Sequence, residues 1–161
     1  MTHQKRIFED RSELFYPKLS GRPLLEPVPL EYAYAVDLCP FCALPADRIW
    51  IETEHAIALP DAFPVVDGHM LVVPRKHVAS IYQLQRPEQT AIWELVSEVR
   101  ERLLTGLKPD GFNIGLNDGL AAGQTVQHAH VHVIPRRDGD VPDPRGGIRW
   151  VVAENAPYWK K

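Results

Sequence analysis

Three histidines alternate with small apolar residues in His128-Ala129-His130-Val131-His132. Imidazole gains and loses a proton near neutral pH, and as the free base it is both a nucleophile and a metal ligand. On a β-strand alternate side chains share a face. His128, His130 and His132 would therefore lie together, roughly 6.5–7 Å apart along the strand, with Ala129, Val131 and Val133 on the other face. Such a strand packs with one side and displays chemistry with the other. Two chemistries fit: nucleophilic or acid–base catalysis, or a metal held by histidines at i and i+2 with one coordination position open.

The chain enters this run through Asn117-Asp118-Gly119-Leu120-Ala121-Ala122-Gly123-Gln124-Thr125. Glycines let backbone N–H groups approach a ligand closely, and successive N–H groups in such loops bind anions. Asn-Asp-Gly is also an ordinary turn signal. Placed directly before the histidines, the loop would set phosphate donors beside a nucleophile. Cys39-Pro40-Phe41-Cys42 has the spacing of a zinc corner or a redox dithiol. As the only two cysteines, in a sequence without a secretory signal pattern, they suit a structural disulfide less well. A metal would need two more ligands, and the histidines are the candidates.

Together these elements resemble the histidine triad (HIT) superfamily. Its signature is His-φ-His-φ-His-φ-φ after a Gly-Gln-Ser/Thr element, here GQTVQHAHVHVIPR. The likeness extends upstream through GFNIGLNDG and PDAFPVVDGHMLVVPRKHV to about Cys39, roughly two-thirds of the chain. The resemblance implies that His130 attacks the α-phosphorus of a nucleotide, giving a covalent nucleotidyl-histidine that water or another acceptor resolves. It implies that His132 orients the site and binds phosphate, and that Asn117, Gln124 and Thr125, with Gly123 in the same loop, hold phosphate oxygens. His69 would lie near the nucleotide and Asp61 on the ribose hydroxyls; read alone, Asp61 is a turn residue before Pro64. It further implies a structural zinc on Cys39, Cys42, His77 and His128. That assignment gives His128 to the metal and leaves His130 free. A homodimer is implied by resemblance as well.

The substrate class implied first is a dinucleoside polyphosphate cleaved asymmetrically to a nucleoside monophosphate. A nucleoside phosphoramidate, or nucleotidyl transfer to phosphate or a sugar phosphate, is the alternative. Two readings of other classes are a non-catalytic nucleotide-binding protein and a zinc-water hydrolase with its metal on His128, His130 and His132.

The elements that must position these groups follow from periodicity and punctuation. Strands are expected at 48–53, 56–60 and 69–74, with a helical turn around 77–83. Ile92, Leu95, Val96, Val99, Leu103 and Leu107 recur at helical spacing, so one main helix is expected from Pro87 to Leu107, ended by Lys108-Pro109-Asp110-Gly111. GFNIGLN and HAHVHVIP supply two further strands. The expectation is an α+β domain over 36–161, an antiparallel sheet of about five strands backed by one main helix. Residues 1–35 form a proline-bearing N-terminal extension, with a short helix at 6–15 and Phe15, Tyr16, Leu24 and Leu25 available for burial. The C-terminal loop and tail carry Arg136, Arg137, Arg145 and Arg149 with Trp150 and Trp159. Arginines there suit distal phosphates, though Asp138, Asp140 and Asp143 nearly balance their charge.

With 161 residues, 45% of them hydrophobic and 24% charged, the chain can bury a core and is not of a disordered class. A net charge of −3 and a pI of about 6.1 argue against general nucleic-acid or membrane-surface binding. With no apolar run long enough to span a bilayer and no signal pattern, a cytoplasmic location is expected.

Overall fold

Five antiparallel strands and one long helix account for the regular structure of the computed structural model, which describes residues 39–160. The N-terminal extension and its candidate helix at 6–15 lie outside the described residues. Strands β1 (Ile51–Glu52), β2 (Ala56–Pro60) and β3 (Met70–Pro74) precede helix α1 (Arg86–Leu107); β4 (Gly111–Gly115) and β5 (Val131–Arg136) follow it. The strand order is β1-β2-β3-β5-β4, which inserts the histidine strand between β3 and β4. Leu71 pairs with His132 and Met70 with Val133 across β3 and β5, while Ile114 pairs with Val133 across β4 and β5. Among the described residues no helix is long and apolar enough to cross a membrane.

Alternation along the strands divides two apolar layers. Ala56, Ala58, Met70, Val72, Val131 and Val133 face α1, which buries Ile92, Leu95, Val96, Val99 and Leu103 against them. The helix begins with a capping box, in which Gln85 N–H donates to Glu88 Oε2 at 2.6 Å, and carries Pro87 in its first turn. Lys108 ends it in the left-handed conformation, with Pro109 beyond. On the opposite face Ile57, Leu59, Leu71 and Val73 pack against Phe41, Leu44 and Ile49 of the Cys39–Ile49 segment. The sheet is therefore covered on both sides where the histidines emerge.

The apolar set of the histidine strand faces the helix as anticipated, and its imidazole side is covered as well: His128 is 1% exposed and His130 7%. The strand is also shorter than anticipated. His128 lies in a bend, and regular pairing begins only at Val131, because Ala129 N–H donates to Val78 O at 2.7 Å instead of joining a ladder. The expected strand at 48–53 contracts to Ile51–Glu52 after a 3-10 turn at Ala46–Arg48.

Candidate active site and metal corner

Two thiols and two imidazoles converge where the Cys39–Cys42 turn meets the end of β3 and the approach to β5. Cys39 Sγ lies 3.3 Å and Cys42 Sγ 3.5 Å from His128 Nδ1, and Cys42 Sγ lies 3.2 Å from His77 Nδ1. The four ligand atoms are all within 4.8 Å of one another. Zinc bonds of ordinary length to sulfur and nitrogen in a tetrahedron require ligand separations of about 3.3–3.8 Å, and the three separations of 3.2, 3.3 and 3.5 Å lie at or near that range, so the donor set suits zinc. The second shell fits too. His128 Nε2–H donates to Pro74 O at 2.8 Å, which leaves its Nδ1 lone pair facing the thiols. Burial lowers the His128 pKa to about 4 and keeps the ring neutral. Burial and the Cys39 thiol push the Cys42 thiol up to about 11 without a metal; a bound cation reverses this by stabilising thiolate.

The other triad members form a separate group. His130 Nδ1–H donates to His128 O at 2.8 Å, which fixes the tautomer and leaves Nε2 as an unprotonated nitrogen. Its ring packs edge-on to His132, with centroids 5.1 Å apart. His69 Nε2 is 3.0 Å from His132 Nδ1, and Val65 N–H donates to His69 Nδ1 at 3.3 Å. That network puts the His69 proton on Nε2, donating to His132, and the His132 proton on Nε2. Asp61 Oδ2 stands 3.4 Å from His69 Nδ1 and 3.9 Å from His132 Nδ1, while Asp61 Oδ1 accepts the Phe63 N–H at 2.9 Å. Burial is the main cause lowering the pKa of His69, His130 and His132, the last to about 4; Asp61 opposes it in all three. The rings are therefore neutral at pH 7.

A turn places His69. Gly68, with φ of +80°, precedes it, and a Cβ there would run into Leu107 Cδ1 of the helix. Only glycine fits both demands. The phosphate-loop candidates lie between β4 and β5, where Gly119 and Gly123 both take φ of +89°. Gln124 is buried and its amide is committed internally: Nε2 donates to Ala79 O at 2.8 Å and Val126 O at 3.0 Å, and Oε1 accepts the Gly119 N–H at 2.8 Å. Ser80 Oγ donates to Asp118 Oδ2 at 3.1 Å, a second tie between the segment after His77 and this loop. Asn117 is half-buried, and Gly123 and Thr125 are exposed.

A family profile described as HIT domain matches residues 45–139, more than half of the chain. The chain belongs to the HIT family. It is 39% identical over 96 residues to a bis(5'-adenosyl)-triphosphatase of Dictyostelium discoideum, a match covering 58% of this chain and 62% of that protein. It is 34% identical over 93 residues to an asymmetrical bis(5'-nucleosyl)-tetraphosphatase of Schizosaccharomyces pombe, covering 58% and 51%. Among solved structures, a zinc-bound histidine triad family protein from Mycobacterium smegmatis aligns with a TM-score of 0.59 and 35% identity over 73% of this chain and 93% of that one. The HIT chain thus spans less than two-thirds of the length of these two named hydrolases.

In this HIT protein His130 belongs to neither metal-capable cluster among the described residues. One joins Cys39, Cys42, His77 and His128; the other joins Asp61, His69 and His132. A single metal on all three triad histidines is therefore not what the geometry builds. The tail arginines also have partners of their own. Arg136 pairs with Asp140 and donates to Asn113 Oδ1. Arg137 Nη2 donates to Leu107 O at the helix end, and Arg145 pairs with Asp143 while stacking over Trp159 at 4.6 Å. Arg149 lies over the Tyr158 ring and donates to Asn155 O. Sequence reasoning missed Phe41, whose ring lies against both His128 and His130, and the carbonyl of Pro74. An aromatic between two closely spaced cysteines is the available signal for Phe41; no sequence signal marks the carbonyl.

Proposed function

We propose that this protein is a nucleotidyl hydrolase or transferase that attacks the α-phosphate of a dinucleoside polyphosphate through His130. The observation that carries this reading is the 2.8 Å bond from His130 Nδ1–H to His128 O, which leaves the buried Nε2 lone pair available. Nε2 forms a bond to the α-phosphorus as the bond to the bridging oxygen breaks, and the rest of the polyphosphate leaves as an anion. Positive charge then develops on the ring, and the His128 carbonyl stabilises it. Water next displaces His130, forming the nucleoside monophosphate and releasing a proton to solvent. His132 Nε2–H and the backbone and side chains of the Asn117–Thr125 loop supply donors for phosphate oxygens, and Asp61 accepts from ribose hydroxyls. Gln124 serves this loop by ordering it, given where its amide groups are bonded.

Zinc bound to Cys39, Cys42, His77 and His128 supplies a closed structural cross-link. The named hydrolases among the relatives support the dinucleotide class. A homodimer accords with the resemblance and with β4, an edge strand half-buried along its whole length. The test is product analysis with diadenosine tetraphosphate and, in parallel, adenosine phosphoramidate, each with and without phosphate. AMP from the dinucleotide is the expected result, and ADP formed only with phosphate would indicate a phosphorylase. Cleavage of the phosphoramidate alone would move the substrate to the alternative class, and no turnover of either would contradict the enzyme reading.

A further inference from the structure

Phe41 sits in a tight turn between two cysteines, with Cys42 N–H and Ala43 N–H both donating to Cys39 O at 3.1 Å. Its ring centroid is 5.7 Å from that of His128, edge-on, and 5.4 Å from that of His130, tilted by 57°. Phe41 therefore spans the metal corner and the triad. Rotation of the His130 ring is fixed by one hydrogen bond at Nδ1, by His132 on one side and by Phe41. Nothing polar can be added at Nε2 without occupying the lone pair needed for attack. An apolar ring orients the imidazole without competing for that lone pair.

We propose that Phe41 is a positioning residue for the nucleophile, using the cysteine turn as a fixed mount to hold the His130 ring in its attacking orientation. The inference rests on the nucleophile reading of His130. It explains why the cover over the triad is built from the metal-ligand turn: whatever fixes the cysteines also fixes the ring packed on the nucleophile. A misplacement of about 1 Å at a reacting atom can cost on the order of a hundredfold in rate.

The test compares Phe41→Leu, which keeps apolar bulk without the ring, with Phe41→Tyr. The tyrosine keeps the ring, and Phe41 lines an open recess with Cys42, Pro74 and His77. Zinc content, single-turnover nucleotidyl transfer from diadenosine tetraphosphate, KM and the ring-nitrogen chemical shifts of His130 at neutral pH are measured for each. Phe41→Leu is expected to retain zinc, to lose about ten- to a hundredfold in transfer rate, and to keep KM within about twofold. Its His130 nitrogens should change from one tautomer to a mixture, and Phe41→Tyr should restore both rate and tautomer. An unchanged rate and single tautomer in Phe41→Leu would overturn the proposal. So would equal losses in both variants, or loss of zinc from Phe41→Leu, which would assign the ring to the metal corner alone. If the wild type transfers no nucleotide, the reading of His130 fails; the tautomer comparison still decides for or against Phe41.

Discussion

His128 serves His130 with its backbone and the metal corner with its side chain. The carbonyl accepts the His130 Nδ1–H at 2.8 Å, while Nδ1 of the same residue lies 3.3 and 3.5 Å from the thiols of Cys39 and Cys42. One residue thereby joins the two functional clusters. The corner meets the bend that leads to His130, and the tautomer of His130 is set by a group that cannot titrate.

Cys39→Ser should therefore cost metal and stability before it costs chemistry. We expect zinc content to fall towards zero and the unfolding midpoint to drop by about 5 °C or more. The single-turnover rate of protein that remains folded should fall too, by no more than Phe41→Leu costs, because loss of the metal loosens the turn that carries Phe41. Metal analysis beside calorimetry checks this, and a metal-free variant as stable as the wild type would show that the corner is not a zinc site.

Acid should destabilise the fold. Burial holds His132 at about 4 in the folded chain, below the ordinary 6.5. Between these values the unfolded chain binds more protons than the folded one, so this stability is present above about pH 6.5 and is lost as pH falls towards 4. Burial likewise lowers the pKa of His130. Denaturant titrations from pH 7.5 to 4 should show a falling midpoint, with proton uptake on unfolding. No change across that window would contradict the buried neutral triad.

Gly68→Ala should lower stability by about 1–2 kcal/mol, chiefly from the positive φ, with the Leu107 side-chain tip displaced by the new Cβ. The strain falls one residue before His69, so KM for nucleotide should rise as well. Equilibrium unfolding and kinetics on the same preparation check both effects.

Gln124→Ala removes three hydrogen bonds that tie the glycine loop to itself and to Ala79. We expect a loss of about 1–3 kcal/mol together with faster amide exchange across 117–126. A variant with normal exchange but weakened phosphate binding would instead make Gln124 a direct ligand.

Most of the scaffold is legible because it rests on periodicity. The apolar spacing from Ile92 to Leu103 marks the helix face, and the alternation of Ala129, Val131 and Val133 marks the helix side of the strand. The cluster of Cys39, Cys42, His77 and His128 is legible because thiols and imidazoles at family spacing have few other uses. What the sequence hides depends on tertiary contacts. Phe41 covers His128 and His130 from a segment nearly ninety positions away in the chain. Gln124 turns inward because Ala79 and Val126 offer it carbonyls, and the tail arginines are engaged by neighbours that only folding brings close.

The covalent intermediate is the central claim. A quenched single-turnover reaction with diadenosine tetraphosphate, followed by intact mass and peptide mapping, tests it most directly. One adenylyl group should accumulate on His130 and decay as AMP is released, and His130→Ala should bind nucleotide while losing at least about a thousandfold in turnover. AMP formed at the full rate with no adduct, an adduct on another histidine, or retained turnover in His130→Ala would contradict it.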